Sequence, residues 1–225
     1  MVTHKTCIFD IDGTLFDSNS TFDFFEYFFS TTRNYRILKF ILGNKLAKII
    51  NRVLFRIFSL DLKRMLYIAM LRNKSYSELS FYAKAFCYDF LSYKKKKETF
   101  ALLKELRTEN IYFVTATMDF LAEQIVAYIR EELSLENISV GSTKLAYNNN
   151  ICTGKIEMDL LGKKLYYLFS LGLKRTFDIV VSDDLSDLEL MKNSKMSYVV
   201  FTKKNYSKWN RMLKKQIFAH KIIET

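Results

Sequence analysis

The run Asp10-Ile11-Asp12-Gly13-Thr14 places two carboxylates two residues apart, directly after the apolar stretch Cys7-Ile8-Phe9. On an extended chain, residues i and i+2 share a face, so the spacing predicts that Asp10 and Asp12 lie side by side. Paired carboxylates repel and need a cation or a proton between them. Such a pair can supply a nucleophile, a general acid and base, or oxygen ligands for a hard cation. Gly13 permits a sharp exit from the strand and is expected to expose backbone N–H groups to an anion. Farther along, Thr115 follows the apolar run Ile111-Tyr112-Phe113-Val114, Lys163 and Lys164 open a helical stretch, and Asp183-Asp184 follow a third apolar run. Asp187 comes one helical turn after Asp183.

These residues need strands to carry them. Apolar runs predict strands at 6–12, 111–116, 178–182 and 197–201, with short strands over 138–157 around the turn Asn148-Asn149-Asn150. Helical periodicity is read at about 20–31, 33–42, 45–60, 61–71, 75–92 and 96–107, then at 119–133, 163–171 and 185–191. Strands alternating with helices predict an α/β fold, a Rossmann-like parallel sheet covered on both faces. The all-helical segment 17–107 reads as an insertion after the first strand. Residues 1–16 and 108–225 then form the core. Ligands of such sheets bind beyond the carboxyl ends of the strands, which is where each polar group above is expected.

Composition bounds the rest. With 225 residues, 49% of them apolar, the chain can build one ordinary domain and a modest second one. Cys7, Cys87 and Cys152 are few, odd in number and far apart, which argues against a disulfide framework and for a reducing, cytoplasmic compartment. No CxxC pair exists, the two histidines sit near the chain ends, and the N-terminus does not read as a secretory signal. Proline is absent and the formal net charge is +11. A codon bias would spread that charge evenly, yet residues 33–104 hold 17 Lys and Arg against 4 Asp and Glu, while the rest of the chain holds 18 against 20. The clustering predicts that this segment faces something anionic.

The run Asp10-Ile11-Asp12-Gly13-Thr14-Leu15 resembles the first motif of the haloacid dehalogenase (HAD) superfamily of phosphatases. The strand ending in Thr115 resembles its second motif, Lys164 its third, and Asp183-Asp184-Leu185-Ser186-Asp187 its fourth. Val114-Thr115-Ala116-Thr117, the stretch 143–155 and Gly162-Lys163-Lys164-Leu165 are similar to the phosphoserine-phosphatase-like subfamily IB. The resemblance implies a Mg²⁺-dependent phosphomonoesterase. Asp10 would attack phosphorus and form an aspartyl-phosphate, and Asp12 would act as acid and then base. Asp10, the carbonyl of Asp12, Asp183 and Asp187 would hold Mg²⁺. Thr115, Lys164 and Gly13 would bind the phosphoryl group. Lys163 stays open as the rival of Lys164, and Asp184 as a rival ligand whose blander role is a solvated or capping acid. Ser182 stands where many members have glycine.

In that family an insertion between the first two motifs is a cap that reads the leaving group. Arg33, Arg64 and Arg72 are candidates for gripping a substrate carboxylate, but the pattern of phosphoserine-specific enzymes is not matched. Within 45–58, Leu46, Ile49, Ile50, Val53, Leu54, Ile57 and Phe58 form one helical face, with Lys45, Lys48, Arg52 and Arg56 opposite. An amphipathic helix packed in a helical bundle accounts for this. So does a helix lying on an anionic membrane surface, apolar face down. The leading expectation is therefore a phosphatase for a small anionic metabolite. The rivals are a membrane-surface lipid phosphatase of the phosphatidylglycerophosphatase type and a non-catalytic binding protein. Nucleic acid is not expected as a partner, since no module for it is legible.

Overall fold

The computed structural model describes residues 4–58, 61–173, 176–203, 205–214 and 218–225, without the side chains of Phe55 and Phe58. The expected end of the third helix at residue 60 therefore lies outside the described residues. Seven strands form one sheet in the order β4-β3-β2-β1-β5-β6-β7. They are β1 (Thr6–Phe9), β2 (Asn110–Met118), β3 (Ile138–Asn148), β4 (Ile151–Met158), β5 (Phe177–Ser182), β6 (Ser194–Phe201) and β7 (His220–Glu224). All neighbours run parallel except β3 and β4. These two are antiparallel across Asn149 and Asn150, whose φ angles of 49° and 65° suit a tight hairpin turn. The expected parallel sheet thus carries the expected strand pair around residues 148–150 as an antiparallel edge.

The described residues also form ten α-helices: α1 (Ser20–Phe29), α2 (Arg33–Gly43), α3 (Lys45–Phe58), α4 (Leu62–Ala69), α5 (Tyr76–Asp89), α6 (Lys97–Glu105), α7 (Asp119–Leu133), α8 (Lys164–Ser170), α9 (Leu188–Lys192) and α10 (Tyr206–Leu213). Side-chain alternation divides the strands between two cores. Cys7, Phe9, Ile111, Phe113, Ile179 and Val181 face one core, shared with α6, α7 and the aromatic residues of α1 and α5. Ile8, Val114, Val180 and Val199 face the other, under α8, α9 and α10. Each fully buried aliphatic or aromatic side chain stabilises the fold by about 1.5–3 kcal/mol.

The helical segment is tied to the first core by rings. Phe24 of α1 meets Phe120 of α7 at a centroid distance of 5.3 Å, and Tyr88 of α5 meets Tyr128 of α7 at 5.2 Å. Local signals set the helix starts. The Asn19 side chain caps α1 through the N–H of Phe22, Asp61 caps α4 through Arg64, and Ser75 caps α5 through Glu78.

β1 is central, with β2 on one side and β5 on the other, so the chain changes direction across it. That crevice is the switch point at which α/β sheets bind ligands. β1 ends sooner than expected, at Phe9, although the N–H of Asp10 still reaches the Val181 carbonyl at 3.0 Å. Asp12 has left the strand and bridges toward Phe16. Ile11 stays in the core with Phe9, while Asp10 and Asp12 both reach the crevice. Two elements were not foreseen, α10 and β7.

Candidate active site

A cleft of about 530 Å³ opens at the carboxyl ends of β1, β2 and β5. Asp10, Asp12, Gly13, Thr115, Lys164 and Asp183 all line it. Asp187 lies behind Lys164, almost fully buried.

Lys164 is the hub. Its Nζ lies 2.7 Å from Asp10 Oδ1 and donates to Asp187 Oδ2 at 2.8 Å. Burial alone would lower its pKa, but the Asp10 and Asp187 carboxylates outweigh it and hold the ammonium above the usual lysine range. Ser182 Oγ donates to the same Asp187 oxygen at 2.6 Å. The serine that replaces the family's frequent glycine thus fixes Asp187, and it also accepts the Asp184 N–H at 3.2 Å. Lys163 is exposed at the helix start and only Lys164 reaches Asp10.

Asp12 is held apart from this cluster. Its Oδ1 accepts the N–H of Ser20 at 2.9 Å and its Oδ2 accepts Thr117 Oγ1 at 3.1 Å. Thr115 Oγ1 lies 3.0 Å from Thr117 Oγ1, making a chain of hydroxyls that ends on Asp12. Burial pushes the Asp12 pKa up, against the lowering effect of Ser20 and Thr117. Burial also pushes Asp10 well up; Lys164 opposes it, while Asp187 and Asp183 add to it.

Asp183 sits on Gly13. A Cβ built on Gly13 would land 2.6 Å from the Asp183 carboxyl carbon, and Gly13 has a φ of +70°. Both the conformation and the contact require glycine. The N–H of Gly13 is taken by the Ser18 carbonyl at 3.1 Å, so it is not presented to an anion as expected. The Gly13 carbonyl accepts Lys96 Nζ. Thr14 Oγ1 donates to Asp183 Oδ1 at 3.2 Å and accepts the Asp183 N–H at 3.0 Å. Burial, helped by neighbouring Asp184, raises the Asp183 pKa to about 7. Asp184 caps the following turn through the Ser186 N–H at 2.8 Å.

These donors suit a hard divalent cation in kind. Asp10 and Asp183 are carboxylates lining one cleft, and burial pushes both toward protonation, against the lowering effect of neighbouring lysines. Among the described residues no group of three or more acids, histidines or cysteines is gathered closely enough to hold a metal. Asp187 is turned to Lys164 and Ser182.

Sequence reasoning missed four residues here. Ser20 and Thr117 position Asp12. Asn205 Nδ2 and Trp209 Nε1 donate to the Asp183 carbonyl at 3.0 and 2.6 Å. Thr117 stood in the second motif and carried a signal; the other three did not. Arg64, once a candidate for gripping substrate, faces the core instead. It donates to Asp159 Oδ1 at 2.7 Å, the Ala116 carbonyl at 2.6 Å and Thr143 Oγ1 at 2.8 Å. Arg33 and Arg72 are exposed.

Residues 7–192 match the family model for haloacid dehalogenase-like hydrolases, and the chain belongs to that family. Its fold recurs in several solved structures. A protein of unknown function from Bordetella pertussis Tohama I superposes with a TM-score of 0.70 at 16% identity, covering 97% of this chain and 98% of that one. Apo phosphoserine phosphatase gives 0.55 at 14% identity, covering 96% and 100%. Cytosolic 5'-nucleotidase IIIB bound to cytidine gives 0.61 at 12% identity, covering 98% and 80%. No curated protein matches the chain.

Proposed function

We propose that the chain is a Mg²⁺-dependent phosphomonoester hydrolase that carries the phosphoryl group on Asp10. The observation behind this reading is the split environment of the two aspartates. Asp10 pairs with Lys164 at 2.7 Å, while Asp12 is held by Ser20 and Thr117. Such a split suits two carboxylates with different tasks.

An Asp10 carboxylate oxygen attacks phosphorus, and the ester P–O bond breaks. The raised pKa lets Asp12 keep a proton and give it to the departing alkoxide oxygen. The Asp12 carboxylate then takes a proton from water as the water attacks the phosphoryl group on Asp10. Inorganic phosphate leaves and Asp10 is restored. Lys164 offsets negative charge on Asp10 and on the incoming phosphoryl oxygens. Thr115 can turn its hydroxyl from Thr117 to a phosphoryl oxygen. Asp10, the Asp12 carbonyl and Asp183 would hold Mg²⁺, which supplies charge stabilisation for the transferring group. Asp187 serves by holding Lys164 in place.

The helices α1–α5 act as the cap of this reading, and a small soluble phosphate ester is the first substrate class. A lipid phosphate ester is the second, favoured by one observation: the apolar stripe of α3 faces solvent.

The test is phosphate release with Mg²⁺ from a panel of phosphosugars, nucleotides, phosphoamino acids and phosphatidylglycerophosphate in detergent. The wild-type chain is expected to hydrolyse at least one ester. Asp10→Asn is expected to lose at least ~10³-fold in rate. Acid-quenched protein should carry phosphate on the peptide containing Asp10. Hydrolysis by the Asp10→Asn variant at the wild-type rate would remove the covalent mechanism.

A further inference from the structure

An amphipathic helix normally turns its apolar stripe inward. α3 does the reverse. Leu46, Ile49, Ile50, Val53 and Ile57 form one continuous helical stripe, and each is at least 45% exposed, with Leu46 and Ile57 at 64%. The half-buried side of the helix is instead the polar-small one, Ala47 and Asn51, together with Leu54. Asn51 fixes it there, donating to Asp61 Oδ1 at 3.1 Å and accepting the Lys63 N–H at 2.9 Å. α2 repeats the pattern. Tyr35 and Leu42 are buried, while Ile37, Ile41 and Phe40 point outward, Phe40 with 84% of its surface in water.

The charges on this hairpin have a single sign. Residues 33–58 contain seven Lys and Arg and no Asp or Glu. They do not serve the cleft, whose described lining passes from Asp23 directly to Thr115. Outside 33–104 the chain is slightly acidic, so the charge is not a general solubility device.

We propose that the α2–α3 hairpin docks the protein on an anionic lipid surface, with both helices lying in the interfacial plane. Three properties select this occupant. Water-exposed aliphatic and aromatic side chains gain by entering the headgroup–acyl boundary. Each neighbouring Lys or Arg is drawn to an anionic leaflet. No described helix is long and apolar enough to cross a membrane, so the contact is peripheral. A second copy of the chain fits less well, because a symmetric interface would set one seven-cation hairpin against another. A nucleic acid would use the cations but leave the apolar stripe in water. The proposal stands whether or not the cleft hydrolyses phosphate esters.

The experiment is flotation of the full chain with vesicles of phosphatidylcholine, with and without phosphatidylglycerol, at low and high salt. The protein is expected to float with phosphatidylglycerol vesicles at low salt, and more than ~10-fold less on neutral vesicles or at high salt. The double variant Leu46→Glu/Val53→Glu changes only solvent-facing positions. It is expected to stay folded by circular dichroism, keep any activity toward soluble esters and lose flotation. Lys48→Glu/Arg52→Glu should weaken flotation and leave the fold intact. Absence of flotation with phosphatidylglycerol vesicles at low salt overturns the proposal. So does flotation that survives both double variants. A lipid-free dimer that Leu46→Glu/Val53→Glu dissociates would assign the stripe to a second copy and overturn it as well.

Discussion

The indole N–H of Trp209 donates a 2.6 Å hydrogen bond to the backbone carbonyl of Asp183. The chain's one tryptophan is thus wired to a proposed metal ligand, fully buried and at the wall of the cleft.

Trp209 fluorescence should therefore report Mg²⁺ binding directly. Burial pushes the Asp183 pKa up to about 7 from its ordinary 3.8. Its proton must leave before the carboxylate binds a cation. The apparent Mg²⁺ affinity is expected to rise with pH up to about 7 and level off above it. Below 7 it should fall up to ~10-fold per pH unit. Titrations at several pH values, followed by Trp209 emission, check this. A pH-independent affinity would contradict it. The same shift has a sign for stability. A raised folded pKa stabilises the metal-free fold at low pH, and that contribution disappears as pH rises through 7.

Lys164→Met should be costly in a second way. It leaves the buried carboxylates of Asp10 and Asp187 facing each other across the vacated position, without the cation that both contact. Removing one partner of a buried ion pair destabilises by about 3–5 kcal/mol. A lowered urea midpoint at neutral pH is the expected outcome. Lys164→Arg should also fail, since a planar fork replaces a compact charge.

Arg64 gives a third test. Its guanidinium ties α4 to the Ala116 carbonyl next to Thr115, and also to Thr143 and Asp159. Arg64→Ala leaves these acceptors without their shared donor and should cost about 3 kcal/mol. Arg64→Lys should recover only part of it, since an ammonium cannot span three acceptors in fork geometry. Urea unfolding of the three proteins separates these outcomes.

Much of this architecture was legible because burial writes a period into the sequence. Cys7-Ile8-Phe9 and Ile179-Val180-Val181 are continuous apolar runs, as strands covered on both faces must be. β7 is exposed or half-exposed along its whole length, and α10 offers only the short stripe Trp209, Met212 and Leu213, too brief to set a period apart. The motif acids were legible by spacing, but their partners were not. Ser20, Asn205 and Trp209 reach the site through single hydrogen bonds from distant segments, and no spacing encodes that. The orientation of α3 was illegible for another reason. An apolar stripe looks the same in sequence whether it faces a core or water, and only the position of Asn51 against Asp61 settles it.

The ring-packed junction between the helical segment and α7 bears on traffic into and out of the cleft. Swinging α1 and α5 away would separate Phe24 from Phe120 and Tyr88 from Tyr128, each pair worth roughly 0.5–1.5 kcal/mol beyond its burial. The cleft is lined on one side by the helical segment, at Asp17, Ser18, Asn19 and Asp23, and on the other by core residues: Leu161 and Gly162, the Asp184–Ser186 turn, and Thr202, Asn205, Lys208 and Trp209. The aromatic junction therefore holds one wall of the cleft against the core loops that form the other. Any movement of α1 that widens the cleft must first part those rings.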